Sequence, residues 1–192
     1  MLPREPRQVL LFSGHMVDAP DRAVPRFPPH KVTAAAERIG AALDALDAGA
    51  ADLALTQSAA GGDLLFAEAC LARGAALQLL LPLPEAEFER HSLRASADGA
   101  AWSARFATVK ARCAAPPLVL GEAVADPPDA GSVFEHTNLW LLATALAYGV
   151  ERLRFVCLWD GGGSDGPGGT RHLVDEVRRL GGQVSWIDAR SL

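Results

Sequence analysis

Residues 75–81 (AALQLLL) and 153–159 (LRFVCLW) are almost continuously apolar, and each is too short for a typical helix. Runs of this kind are strands covered on both faces, which occur where helices pack on either side of a parallel sheet. The rest of the chain supplies those helices in alternation. Strands are expected at 8–12, 51–56, 75–81, 153–159 and 183–187, with a weak one at 118–120. Helices are expected at 31–46, 62–73, 85–94, 99–113, 133–148 and 170–180. In 31–46, Val32, Ala35, Ile39, Leu43 and Leu46 recur at helical spacing, and Gly149 stands where a helix from 133 would stop. This order predicts an α/β fold: a doubly wound, mainly parallel sheet with helices on both faces, Rossmann-like in form. No internal repeat or linker divides the chain, so residues 1–192 read as one domain.

Ligands of such sheets bind beyond the carboxyl ends of the strands. Three polar, glycine-bearing loops should meet there, beginning at Ser13, Gln57 and Asp160. The first runs from 13 to 29, unusually long for a compact domain, which marks it as functional. A proline-rich loop at 122–131 lies outside this set.

The 57–62 turn leads from strand into helix through Ser58-Ala59-Ala60-Gly61-Gly62-Asp63. Small residues there let backbone N–H groups approach an anion, and the helix start adds a favourable dipole. The other reading is a tight connection with no ligand. The spacing matches neither the dinucleotide fingerprint nor the phosphate loop with its Lys-Ser/Thr. In the first loop, Ser13 and Gly14 allow close backbone approach. Arg22 and Arg26 suit phosphate pairing or stacking on a base, unless they only pair with nearby acids. His15 and Asp18 suit ribose hydroxyls or acid–base work. In the third loop, Trp159 offers a stacking face beside Asp160, while Gly168, Gly169 and Thr170 open a helix with donors for an anion; the other reading is a flexible surface loop. Glu135 and Asn138 reach the site only if the 133–148 helix begins at the same sheet end; capping is the simpler role for them.

Net charge is −5, from 18 Lys and Arg against 23 Asp and Glu, which argues against nucleic-acid binding. The cysteines at 70, 113 and 157 have neither metal nor disulfide spacing, and Cys70 and Cys157 read as core residues. No metal site and no cofactor are expected. No apolar leader or membrane-length run appears, so the expected location is a reducing cytoplasm with no membrane partner. A homo-oligomer is left open.

The stretch from Gln57 to Pro82, with Ser-Ala-Ala-Gly-Gly-Asp-Leu-Leu-Phe-Ala-Glu-Ala-Cys, then Arg-Gly-Ala and a strand ending in Leu-Pro, resembles the SLOG superfamily of Rossmann-like nucleotide-binding domains. That superfamily includes the DNA-processing protein DprA, the cytokinin-activating LOG enzymes and sensor domains of bacterial conflict systems. The segment 159–187 is similar to the end of such domains in bacterial signalling proteins. The resemblance implies a small-molecule nucleotide as partner, with phosphates near Ser13-Gly14-His15 and Gly61-Gly62-Asp63. LOG-type phosphoribohydrolases carry Pro-Gly-Gly-x-Gly-Thr-x-x-Glu. Here Pro167-Gly168-Gly169-Thr170 lacks the intervening pair, and Asp175 and Glu176 are displaced, so the family's catalytic glutamate is not carried over. The resulting expectation is a domain that binds or senses a nucleotide or nucleotide-derived messenger. The alternative is a hydrolase of a nucleotide's N-glycosidic bond, with Asp63, Glu68 or Asp160 stabilising the transition state.

Overall fold

The apolar runs become the strands of one six-stranded sheet in a computed structural model that describes residues 2–123, 133–162 and 169–192. In chain order the elements are β1 (Val9–Gly14), α1 (Val32–Ala45), β2 (Leu53–Thr56), α2 (Gly62–Ala72) and β3 (Ala76–Leu81). These are followed by α3 (Glu85–Ser92), α4 (Gly99–Ala111), β4 (Leu118–Val119), the single-turn α5 (Leu120–Ala123) and α6 (Val133–Leu146). The chain ends with β5 (Leu153–Trp159), α7 (Thr170–Arg179) and β6 (Gln183–Asp188). The expected loop at 122–131 lies mostly outside the described residues, as does much of the loop after β5.

The strands lie in the order β4-β3-β2-β1-β5-β6, and every pairing is parallel. The first four strands therefore step outward in one direction, and the chain then returns to the far side of β1. α6 makes that return, lying across β1, β2 and β3. Side-chain alternation divides the core into two layers. Leu10 and Phe12 of β1 face α1, α2 and α4, whereas Val9 and Leu11 face α6 and α7. Helices thus cover both faces, as continuous apolar strands require.

α2 is buried over most of its surface. It lies between α1 and α4 as well as over the sheet, and Gly62 to Ala67, Cys70 and Leu71 are all buried. Glu68 and Ala69 alone are left part-exposed within 62–71. Its Phe66 ring stacks on Phe12 of β1, with centroids 4.9 Å apart, and both rings are fully buried. No helix among the described residues is long and apolar enough to cross a membrane.

Removing the Phe66 ring leaves a cavity at the centre of the larger layer. Phe66→Ala is expected to lower unfolding free energy by about 3–5 kcal/mol, measured by denaturant titration. A loss below about 1 kcal/mol would contradict this packing.

Candidate functional site

β1 is hydrogen-bonded to β2 on one side and β5 on the other, and the connections from β1 and β5 leave the sheet in opposite directions. A crevice opens where they part, at the carboxyl ends of the strands. It holds a cavity of about 420 Å³, within the range of small-ligand sites. Its wall combines Ser13, Gly14 and His15 from the end of β1, Asp18, Arg22 and Arg26 from the following loop, and Gly169 and Thr170 from the start of α7.

Close approach of β1 and β5 makes this corner. A Cβ on Gly14 would lie 2.9 Å from the Leu158 carbonyl oxygen, so only glycine fits. Beyond it, the His15 N–H donates to that same carbonyl at 2.9 Å. The hydroxyls of Ser13 and Thr170 are 3.1 Å apart and join the end of β1 to α7. α7 is a ten-residue helix with Gly169 at its N-cap and no side-chain cap. The first-turn amides of a helix lack intrahelical acceptors and carry the positive end of the helix dipole.

The long first loop is held by Asp18, which is 7% exposed. Its Oδ2 accepts from the N–H groups of Arg26 and Phe27, each at 2.9 Å. Phe27 is fully buried and anchors the loop's far end. Asp18 thus orders the loop, and its carboxylate is engaged there instead of being left for ribose.

The two arginines pair only loosely with acids. Arg22 Nε is 3.3 Å from Asp18 Oδ1 and donates to the Val24 carbonyl at 2.9 Å, and Arg26 Nε is 3.4 Å from Asp160 Oδ2. Both separations from the acids exceed the 2.7–2.9 Å usual for charge-assisted hydrogen bonds. Both side chains are more than a third exposed. An incoming anion can take over such cations at little cost.

Asp160, at the end of β5, ties the loops together. Its N–H donates to His15 Nε2 at 3.1 Å. The same Nε2 lies 3.5 Å from Asp160 Oδ1. Burial alone would push the Asp160 carboxyl up, but the Gly162 amide, the nearby His15 and the Arg26 guanidinium outweigh it and hold the group below the usual carboxylate range. An acid held ionised in this way is a poor proton donor, and Asp160 serves as a clamp.

The Gly61-Gly62-Asp63 turn does not line the cavity. The first loop itself occupies the space against the turn. Gly62 N–H donates to the His15 carbonyl at 3.1 Å, and Met16 pairs with Gly61 in a short antiparallel bridge. Gly61 has φ +107°, and a Cβ there would lie 2.8 Å from Val17 N; on Gly62 it would lie 2.9 Å from the Phe12 ring. These glycines are needed for contact between protein segments, which corrects their reading as a phosphate cradle.

Asp63 faces inward as well, accepting the Thr56 hydroxyl at 2.7 Å. Burial pushes its pKa up to about 7, against the opposing hydrogen bonds from Thr56 and the amides of Gln57 and Asp63. Ser58 is fully buried at φ +64° and also lies off the cavity wall. Glu68 is engaged on α2 by Arg105, whose Nε donates to it at 2.7 Å. Neither Asp63 nor Glu68 touches the cavity, so both lose their standing as catalytic candidates. Trp159 is 8% exposed and packs on Trp186 with ring centroids 5.9 Å apart. Its face is covered, which removes it as a base-stacking platform. Gly168 lies outside the described residues.

Sequence reasoning placed two of the wall residues only conditionally. Glu135 and Asn138, in the first two turns of α6, line the cavity, and Gln57 Nε2 donates to Asn138 Oδ1 at 2.7 Å. The parallel sheet contains the signal for this. A helix that joins two parallel strands must begin at their carboxyl edge, and α6 joins β4 to β5. Ser96, between α3 and α4, also lines the cavity and had no sequence signal. Among the described residues, no group of three or more His, Cys, Asp or Glu is placed to hold a metal ion. No protein-family model matches the chain, and no curated protein is significantly similar to it.

Asp63 generates a pH effect of defined sign. Its folded pKa of about 7 exceeds the ordinary value of 3.8, so between those values the folded state binds more protons than the unfolded. Its contribution to stability is therefore greatest near pH 4 and falls as pH rises to about 7. Asp63→Asn is expected to flatten this part of the stability–pH profile in denaturant titrations. An unchanged slope in the variant would contradict the assignment.

Proposed function

We propose that this chain binds a nucleotide or nucleotide-derived messenger through its phosphate, in the crevice between β1 and β5. The observation that carries the reading is the composition of one cavity. Two guanidiniums loosely paired with acids, the Ser13 and Thr170 hydroxyls and the start of α7 all meet there. Helix N-termini and bidentate guanidiniums are the usual recognition groups for phosphate. The position matches the crevice where doubly wound sheets hold their ligands. The likeness of residues 57–82 to the SLOG superfamily supports a nucleotide, although the glycine pair carrying that likeness lies off the wall.

A second reading is hydrolysis of the N-glycosidic bond of the bound nucleotide. Glu135 favours it, being a carboxylate on the wall of the same cavity. In that role it stabilises positive charge developing on the sugar ring. The first reading needs only the anion-binding groups and is preferred on that ground.

Calorimetric titration with adenosine 5′-monophosphate, with chromatography of the mixture, tests both. Arg26→Ala is expected to weaken binding about tenfold, the size of one charge-assisted contact. Its thermal midpoint should be nearly unchanged, because the pair with Asp160 is loose. The nucleotide should be recovered intact. Wild-type affinity in Arg26→Ala would contradict the phosphate site, and release of free base would favour the hydrolase.

A further inference from the structure

The groups that suit a phosphate leave part of the cavity wall without a role. Glu135 lines the cavity, yet its carboxylate has no hydrogen bond or ion pair among the described residues. Ser96 lines it as well, is 4% exposed, and its hydroxyl has no hydrogen-bond partner among the described residues. A buried polar group without a partner costs stability and is rare in folded proteins, so such a group on a cavity wall points to something that binds there.

The chemistry of that partner is restricted. A carboxylate only accepts hydrogen bonds, and it repels phosphate, so Glu135 suits a part of the ligand that donates and carries no negative charge. Among the described residues no Phe, Tyr or Trp lines the cavity, and the apolar wall residues are Met16, Val17, Ala19 and Ala95. Trp159, at the end of β5, is covered by Trp186. A flat heterocycle has only the Arg22 and Arg26 guanidiniums to stack on here, whereas a sugar needs no aromatic face.

We propose that Glu135 and Ser96 form a sugar subsite, in which the Glu135 carboxylate accepts two hydrogen bonds from a vicinal diol and the Ser96 hydroxyl bonds to the same sugar. The ligand is thus a phosphorylated sugar with adjacent free hydroxyls, held by its diol and its phosphate. This rests on the phosphate reading above. The same chemistry is present in a free pentose phosphate and in the ribose phosphate half of a nucleotide. Ser96 acts by direct contact, and its hydroxyl holds no other group among the described residues.

The test is calorimetric titration of the whole chain with inorganic phosphate, ribose 5-phosphate, 2-deoxyribose 5-phosphate, adenosine 5′-monophosphate and its 2′-deoxy form. The wild type is expected to prefer each ribo compound over its deoxy partner by about tenfold. Glu135→Gln should abolish that preference while inorganic phosphate binds as before. Ser96→Ala should weaken the ribo compounds with no fall in thermal midpoint, which a purely structural serine would not do. Tighter binding of ribose 5-phosphate than of the nucleotide identifies a free sugar phosphate, and the reverse identifies a nucleotide; both support the diol subsite. Equal affinity for ribo and deoxy forms, or a preference that survives in Glu135→Gln, overturns the subsite and leaves the phosphate reading standing. Failure of all five compounds to bind overturns both.

Discussion

The parallel pairing of β1 with β5 is the contact on which the site depends. It runs in register from Val9 opposite Leu153 to Gly14 opposite Leu158. It joins strands far apart in sequence and sets the place where the chain reverses its march across the sheet. Because Gly14 has no Cβ, the two strands stay close to their last residues. The loop after β1 and the helix after β5 then diverge from one corner. A bulkier residue at position 14 would push the Leu158 carbonyl away and separate Ser13 from Thr170.

The charges at this corner are arranged for exchange. Asp18 is committed to backbone amides of its own loop, and Asp160 is held by Gly162, His15 and Arg26. The guanidiniums they face lie 3.3 and 3.4 Å from these carboxylates, and Arg22 also donates to the Val24 carbonyl. Carboxylates fixed by backbone amides keep the loop ordered when the arginines turn to another anion. His15 provides order of the same kind, since it accepts from the Asp160 amide.

Much of the fold was legible because its signals are local. Unbroken apolar strands imply a sheet covered on both faces, and the alternation implies parallel order. β5 begins and ends at the residues its pattern indicates. β4 is shorter than expected because Leu120 starts a helical turn instead of extending the strand. The site was legible only in part. Ser13, Gly14, His15, Arg22, Arg26, Gly169 and Thr170 do line one cavity, because the rule about carboxyl ends locates them without any knowledge of packing. The Gly61-Gly62 pair misled for a physical reason. A missing Cβ makes room for any close neighbour, and sequence does not say whether that neighbour is a phosphate or, as here, the His15–Val17 backbone. Trp159 misled similarly, since a strand-end indole reads as exposed until Trp186 of the adjacent strand covers it. Glu135 and Asn138 were recoverable from topology. Ser96 was not, because its place on the wall depends on how the α3–α4 connection folds back.

The most direct test is an amide chemical-shift titration of the isotope-labelled chain with adenosine 5′-monophosphate. This chain has two helix starts that sequence alone makes equally suited to an anion, those of α2 and α7. The structure leaves one facing the cavity and fills the other with the His15 carbonyl. Saturating shifts are expected at His15, Gly169, Thr170 and Arg171, with those of Gly62, Asp63 and Leu64 small. The largest shifts at Gly62 to Leu64, with none at Thr170, would contradict the account.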